Sequence, residues 1–320
     1  MAMSEASSFE EQMDIFRWFG IPVKQSESTL EEMLERIPYF DKRPFTADEE
    51  NKNYDVIVRK PINGEGEIPV GIVSKSYSLI QHRDILNFII NSIKDEFLDH
   101  EEMKFLFFLT EYGERMELLM RFPSKYHFDP GDGYKVGFSL WLRNSVDGST
   151  KFSAEFGWLR LVCSNGMVIF EKDRFEHRHT KSLDQYYVNE ILRNGLALYE
   201  KEKRMLIELY RTPLDKNAFE KWVNDSLKEK WGVKAAVRTY HIAMSGKDVT
   251  YAPLKKKVPS SQIEVKYTIE VPGAVAPANN LYAVVQALSW LARQRRDIDE
   301  QFQWRAQIPA LIDDYLKIAA

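Results

Sequence analysis

Residues 136–162 read VGFSLWLRNSVDGSTKFSAEFGWLRLV, and the architecture turns on this stretch. Val136 to Leu142 and Phe152 to Val162 are runs rich in aromatic and aliphatic residues, with Asp147-Gly148 between them. Asp-Gly is a strong hairpin signal, because both residues tolerate positive φ. The pattern continues upstream. Phe105 to Leu109 and Met116 to Phe122 are runs of the same kind, and turns fall at Tyr112-Gly113 and at Asp129-Pro130-Gly131-Asp132-Gly133. Consecutive runs joined by short turns predict an antiparallel meander.

Outward from this meander the period changes. Tyr54 to Arg59 and Ile68 to Ile80 read as further strands, separated by a turn at Pro61 to Gly66. Between them and the meander, Ile85, Leu86, Ile89, Ile90 and Ile93 form one apolar stripe, which predicts a helix over 82–97. Leu30, Met33, Leu34 and Ile37 predict a short helix, with Ser28 or Thr29 as its cap and Pro38 as its stop. Downstream, a long helix is predicted from Leu183 to Tyr210, halted by Pro213. Helices follow at 218–231, 233–245, 278–295 and 309–318, with a strand-like Ile263 to Val271 among them. The expected class is α+β: a mostly antiparallel central sheet with an inserted helix, followed by a helical C-terminal region. The expected division is a helical segment over 1–50, a strand-rich core with the long helix over 51–215, and a mainly helical region over 216–320.

The chain has 320 residues, 44% of them hydrophobic and 13% aromatic, enough to bury a core without metals or disulfides. Cys163 is the single cysteine, so no intramolecular disulfide can form, which fits a reducing compartment. The opening MAMSEASSFEEQMDIFRWFG is acidic and lacks a secretory pattern. No apolar stretch approaches the roughly 20 residues that span a bilayer. A cytoplasmic protein without a membrane partner is expected. The net charge of −4 is unevenly spread: residues 1–150 carry −10, residues 151–258 carry +7 and residues 259–320 carry −1. A basic middle in an acidic chain points to an anionic partner, or to the solvated faces of amphipathic helices.

Three blocks carry a family resemblance. They are Val70-Gly71-Ile72-Val73-Ser74-Lys75-Ser76-Tyr77-Ser78-Leu79-Ile80-Gln81-His82, then Asn144-Ser145-Val146-Asp147-Gly148-Ser149, then Leu159-Arg160-Leu161-Val162-Cys163-Ser164-Asn165-Gly166-Met167 with Arg178-His179-Thr180 downstream. A weaker echo is Asn280-Leu281-Tyr282-Ala283-Val284-Val285-Gln286-Ala287. With these the chain resembles the phage- and plasmid-encoded family termed domain of unknown function 932. The resemblance implies a mobile element in a bacterial host cytoplasm and carries over no activity.

The residues themselves yield no catalytic constellation, and a non-enzymatic role without cofactor is expected. Cys163 reads as a small residue at a strand end, with Asn165-Gly166 making the turn. His177 and His179, near Glu171, Asp173 and Glu176, lack a third ligand at standard spacing, so no metal is assigned. Ser245-Gly246-Lys247-Asp248 lacks the pattern of a phosphate-binding loop, and Asp129 and Asp132 read as turn residues. Arg174, Arg178, His179 and Lys181 precede a helix start placed near Ser182, a natural anion site. Phe138, Trp141, Phe152, Phe156 and Trp158 offer either base stacking, with Arg143 and Arg160 beside them, or core packing. The candidate nucleic-acid contacts are thus Arg160, Arg174, Arg178, His179, Lys181, Arg193, Lys255, Lys256 and Lys257. The expectation is a mobile-element-encoded, nucleic-acid-associated protein, single-stranded DNA binding or recombination-related, that assembles as a homo-oligomer. The alternative is an accessory or counter-defence factor acting on a host protein.

Overall fold

The computed structural model describes the chain apart from residues 1–16, 19–20, 23, 28–29, 47, 62–63, 97–101, 161–173, 180–182, 252–257 and 297. Short strands β1 (Arg17–Trp18) and β2 (Ile21–Pro22) pair with each other, and β3 (Lys24–Glu27) precedes helix α1 (Leu30–Arg36). Then β4 (Phe40–Thr46), β5 (Glu50–Arg59) and β6 (Ile68–Ser74) form a small antiparallel sheet in that order. Helix α2 (His82–Glu96) is the inserted helix. The meander follows as β7 (Lys104–Leu109), β8 (Arg115–Arg121), β9 (His127–Phe128), β10 (Val136–Ser145), β11 (Phe152–Arg160) and β12 (Arg174–His177). Its order is β12-β11-β10-β8-β7-β3, with β9 also on β10, and every pairing is antiparallel.

The C-terminal half is mainly helical: α3 (Gln185–Arg211), α4 (Lys216–Trp222), a wide turn at Val223–Leu227, α5 (Lys228–Ser245), a hairpin of β13 (Lys247–Thr250) and β14 (Lys266–Glu270), α6 (Leu281–Arg293) and α7 (Ile298–Ala319). The fold is α+β, as the sequence predicts. Residues 1–50 differ from expectation. Beside α1 they supply β3 to the central sheet and β4 to the small one, so they are not a separate helical segment. β4 escaped notice because Phe40–Thr46 is charged and contains Pro44, as suits a strand at a sheet edge.

Both faces of the central sheet are buried. One carries Met116, Leu118 and Met120 of β8, Phe138, Leu140 and Leu142 of β10, and Phe152, Ala154, Phe156 and Trp158 of β11. It packs on Ile85, Leu86 and Ile89 of α2 and Val188, Ile191 and Leu192 of α3. Gly195 lets α3 approach closely, since a Cβ there would lie 2.0 Å from the Phe156 ring. The aromatics on this face are core. Phe138, Phe152, Phe156 and Trp158 are at most 3% exposed, so base stacking on the sheet is excluded. Trp141 lies on the opposite face, where α7 covers it through Phe302, ring centroids 4.7 Å apart.

That second face is polar at its centre. Glu117 of β8 accepts from Trp141 Nε1 at 3.0 Å and sits 3.2 Å from Arg143 Nε, and Arg143 reaches Asp299 of α7. Arg305 of α7 is fully buried over the Trp141 ring. Burial pushes the Glu117 carboxyl up to about 8 and the Arg305 guanidinium down to about 10. No helix among the described residues is long and apolar enough to cross a membrane.

Candidate functional site

Two of the three sequence blocks, with His179 of the third, meet at one junction. Val146, at the tip of the β10–β11 hairpin, packs with Phe40, Ile57 and Val73 of the small sheet. Gly71 of β6 is needed there, because a Cβ would meet the Asp147 Cα at 2.8 Å. Tyr77 Oη lies 2.8 Å from His179 Nδ1 and donates to the Ser145 carbonyl at 3.1 Å, and the Tyr77 and His179 rings stack 4.9 Å apart. Asn144 donates to the Ile80 carbonyl at 3.1 Å and meets His82 Nδ1 at 2.9 Å, while His82 Nε2 reaches the Gly113 carbonyl at 3.0 Å. Burial brings both imidazoles down to about 4, so they are neutral near pH 7. His82 has no exposed surface and His179 has 6%. This junction fastens one sheet to the other and, among the described residues, offers no open site.

Of the predicted nucleic-acid contacts, two are buried. Arg160 is 2% exposed, and its charge is met by Asp132 at 2.7 Å and by the Tyr134 ring, so it cannot serve as a surface cation. His179 is buried and neutral, as above. Arg178 and Arg193 are exposed. Arg174 begins β12. Lys181, Lys255, Lys256 and Lys257 lie outside the described residues, as do Cys163 and most of the Leu159 to Met167 block. The helix expected near Ser182 starts at Gln185, where the Asp184 side chain accepts from Tyr187 N–H at 2.9 Å. A carboxylate already occupies that helix end, so the position disfavours a bound anion. Among the described residues no cluster of His, Cys, Asp or Glu is placed to hold a metal ion.

Positive charge gathers elsewhere. A cleft of about 460 Å³ opens between α5, the end of α6 and the start of α7, lined by Trp231, Lys234, Arg238, Arg295, Arg296, Glu300 and Trp304 among others. Local backbone explains the arrangement. Gly232 adopts φ 84° and ψ 167° inside α5, a conformation open essentially to glycine alone, and the break sets Trp231 and Lys234 at the cleft. α6 stops at Arg293, and Gln294 N–H caps its last carbonyls, so Arg295 and Arg296 emerge from its C-terminus, where cations offset the helix dipole.

The rings of Trp231 and Trp304 lie 4.2 Å apart, and the Arg295 guanidinium sits 4.3 Å from the Trp304 centroid. Trp231 Nε1 donates to Gln307 at 2.8 Å, which fixes the indole. Arg295 is paired with Glu300 at 3.0 Å and Arg238 with Asp248 of β13. Burial would raise the Asp248 carboxyl, but hydrogen bonds from Arg238 and Trp290 hold it below the usual range. Lys234 and Arg296 are exposed and form no ion pair among the described residues. Among the described residues, four cations therefore line the cleft against one lining carboxylate. Sequence reasoning missed Arg295, Arg296 and Trp304 because they lie beyond the basic segment 151–258. The signal available was the cluster Arg293-Gln294-Arg295-Arg296 directly after an apolar helix.

The fold defines an α+β protein in which two antiparallel sheets join through a buried polar junction, with a basic, tryptophan-lined cleft in the helical half. The chain belongs to the family described as a domain of unknown function, DUF932, which matches residues 69–294. No curated protein and no solved structure gives a significant match. The matched span takes in the polar residues of the junction (Tyr77, His82, Asn144 and His179) and Trp231, Lys234 and Arg238, but stops before Arg295, Arg296 and Trp304.

Proposed function

We propose that the protein binds single-stranded nucleic acid, DNA in the first instance, through the cleft between α5, α6 and α7. A phage or plasmid setting belongs to the same proposal and rests on the family resemblance alone. The observation that carries the proposal is the convergence of Lys234, Arg238, Arg295 and Arg296 on a cleft that also holds Trp231 and Trp304. Cations that track a backbone, beside flat groups on which bases stack, are the physical requirements of sequence-tolerant single-strand binding. Trp304 is already engaged by Trp231 and Arg295, so the remaining stacking plane is the Arg295 guanidinium, which suits a base face. Lys234 and Arg296, exposed and unpaired among the described residues, supply the phosphate contacts.

The test is fluorescence anisotropy with labelled oligonucleotides over a salt series, wild type against Lys234→Ala/Arg296→Ala. Both side chains are exposed, so folding is spared. Loss of two phosphate contacts weakens binding by about tenfold and flattens the log–log salt slope by roughly 1.4, at about 0.7 per contact on a single strand. Absence of binding at low salt, or an unchanged slope in the double variant, removes the proposal.

A further inference from the structure

A second cleft lies further along α7 and has the opposite character. It holds about 310 Å³ and is lined by Met205, Leu209, Leu281, Pro309, Ile312 and Leu316, with Glu208, Thr212 and Asp313 as its polar members. Three helices build it. The end of α3 is tied to the start of α6 by backbone bonds, Leu281 N–H to the Thr212 carbonyl at 3.1 Å and Leu214 N–H to the Asn279 carbonyl at 3.0 Å. The floor is thus fixed. α7 forms the third wall, and Pro309 interrupts its ladder there, since proline has no N–H to offer the carbonyl of Arg305. Leu281 and Ile312 are buried at the base, while Leu316 is 41% exposed at the rim.

Charge decides what this cleft suits. Glu208 and Asp313 are exposed, and neither forms an ion pair among the described residues. Among the described residues no basic side chain lines the cleft, and Lys317, the next cation along α7, is already met by Asp314 at 3.6 Å. An apolar slot of this size, at the lower limit of small-molecule pockets, accepts one or two aliphatic side chains. Two free carboxylates on its wall select for cations beside them.

We infer that the α3–α6–α7 cleft docks a cationic amphipathic helix of a partner protein, whose leucine- or methionine-sized anchor enters the slot while flanking lysine or arginine side chains face Glu208 and Asp313. Helix-in-groove recognition has these parts: apolar anchors at helical spacing, with charge complementarity setting orientation and specificity. The inference is independent of the nucleic-acid reading, because it uses a different surface of the opposite sign.

The probe is a fluorescein-labelled amphipathic peptide of leucine and lysine, with a leucine and glutamate peptide of the same pattern as control. Binding is followed by anisotropy. The wild-type protein binds the leucine–lysine peptide, and the leucine–glutamate peptide binds far more weakly. Glu208→Lys/Asp313→Lys weakens the first interaction by about tenfold or more, since like charges then face each other. Glu208→Gln/Asp313→Asn gives a smaller loss, and both variants keep the wild-type melting curve. Equal binding of the two peptides, or leucine–lysine binding that survives the double reversal, overturns the inference. So does a wild-type dimer that the double reversal dissociates, which would assign the cleft to a second copy of the chain.

Discussion

Gly195→Ala is the sharpest test of how α3 seats on the sheet. A Cβ at this position would fall 2.0, 2.2 and 2.3 Å from the Cζ, Cε2 and Cε1 atoms of Phe156. Ordinary carbon contact is about 3.5 Å, so something must move by roughly 1.5 Å. The ring cannot swing away. It is 3% exposed and sits against Phe138 and Phe122, with centroids 5.6 and 6.3 Å distant. The helix must lift instead. Alanine regains about 1 kcal/mol of helix propensity over glycine. Overpacking a filled core costs about 1–3 kcal/mol, and a displacement of this size belongs at the upper end. The expected net loss is about 2 kcal/mol, close to 4 °C in melting temperature for a chain of this length. Thermal denaturation by circular dichroism measures it. Phe156→Leu in the same background trims the ring and recovers part of the loss, which a double-mutant cycle quantifies. A Gly195→Ala protein as stable as wild type would show that propensity outweighs the contact and refute the reasoning.

Three further outcomes are expected. The neutral, buried His82 and His179 carry values near 4, against about 6.5 in an unfolded chain, so the unfolded state takes up more protons between those values. Stability is then full above about pH 6.5 and falls as pH drops towards 4, by up to about 3 kcal/mol for each histidine, which urea titrations across that window measure. Asp132→Ala strands the buried Arg160 charge and costs about 3–5 kcal/mol, while adding Arg160→Met restores most of it. Gly71→Ala drives a Cβ into the Asp147 backbone and costs about 1–3 kcal/mol in the same assay, without touching Lys234 or Arg296.

The meander was legible because its strands combine continuous apolar runs with turn residues at the right places. Strand β10 is buried along its whole length, so no polar face marks itself off, and Trp141, an odd three residues from Phe138 and hence on the opposite face, was grouped with aromatics on the other side. The same blindness made Arg160 look like a surface cation. The last helix was expected over 309–318. The helix in fact begins at Ile298, held in place by Phe302, Asp299 and Arg305 against the sheet, contacts that no local pattern announces. The basic cleft joins Trp231 to Trp304 from distant parts of the chain, so it exists only once α5, α6 and α7 have packed.

The reach of α7 has a practical side. The family match ends at residue 294, yet the helix beginning at Ile298 roofs Trp141, Glu117 and Arg143. A fragment trimmed to the matched span would bare an indole and a half-compensated charge cluster to water, and it would lose a wall from each cleft. Recombinant work confined to that span would therefore sample a stickier, less discriminating molecule than the whole chain.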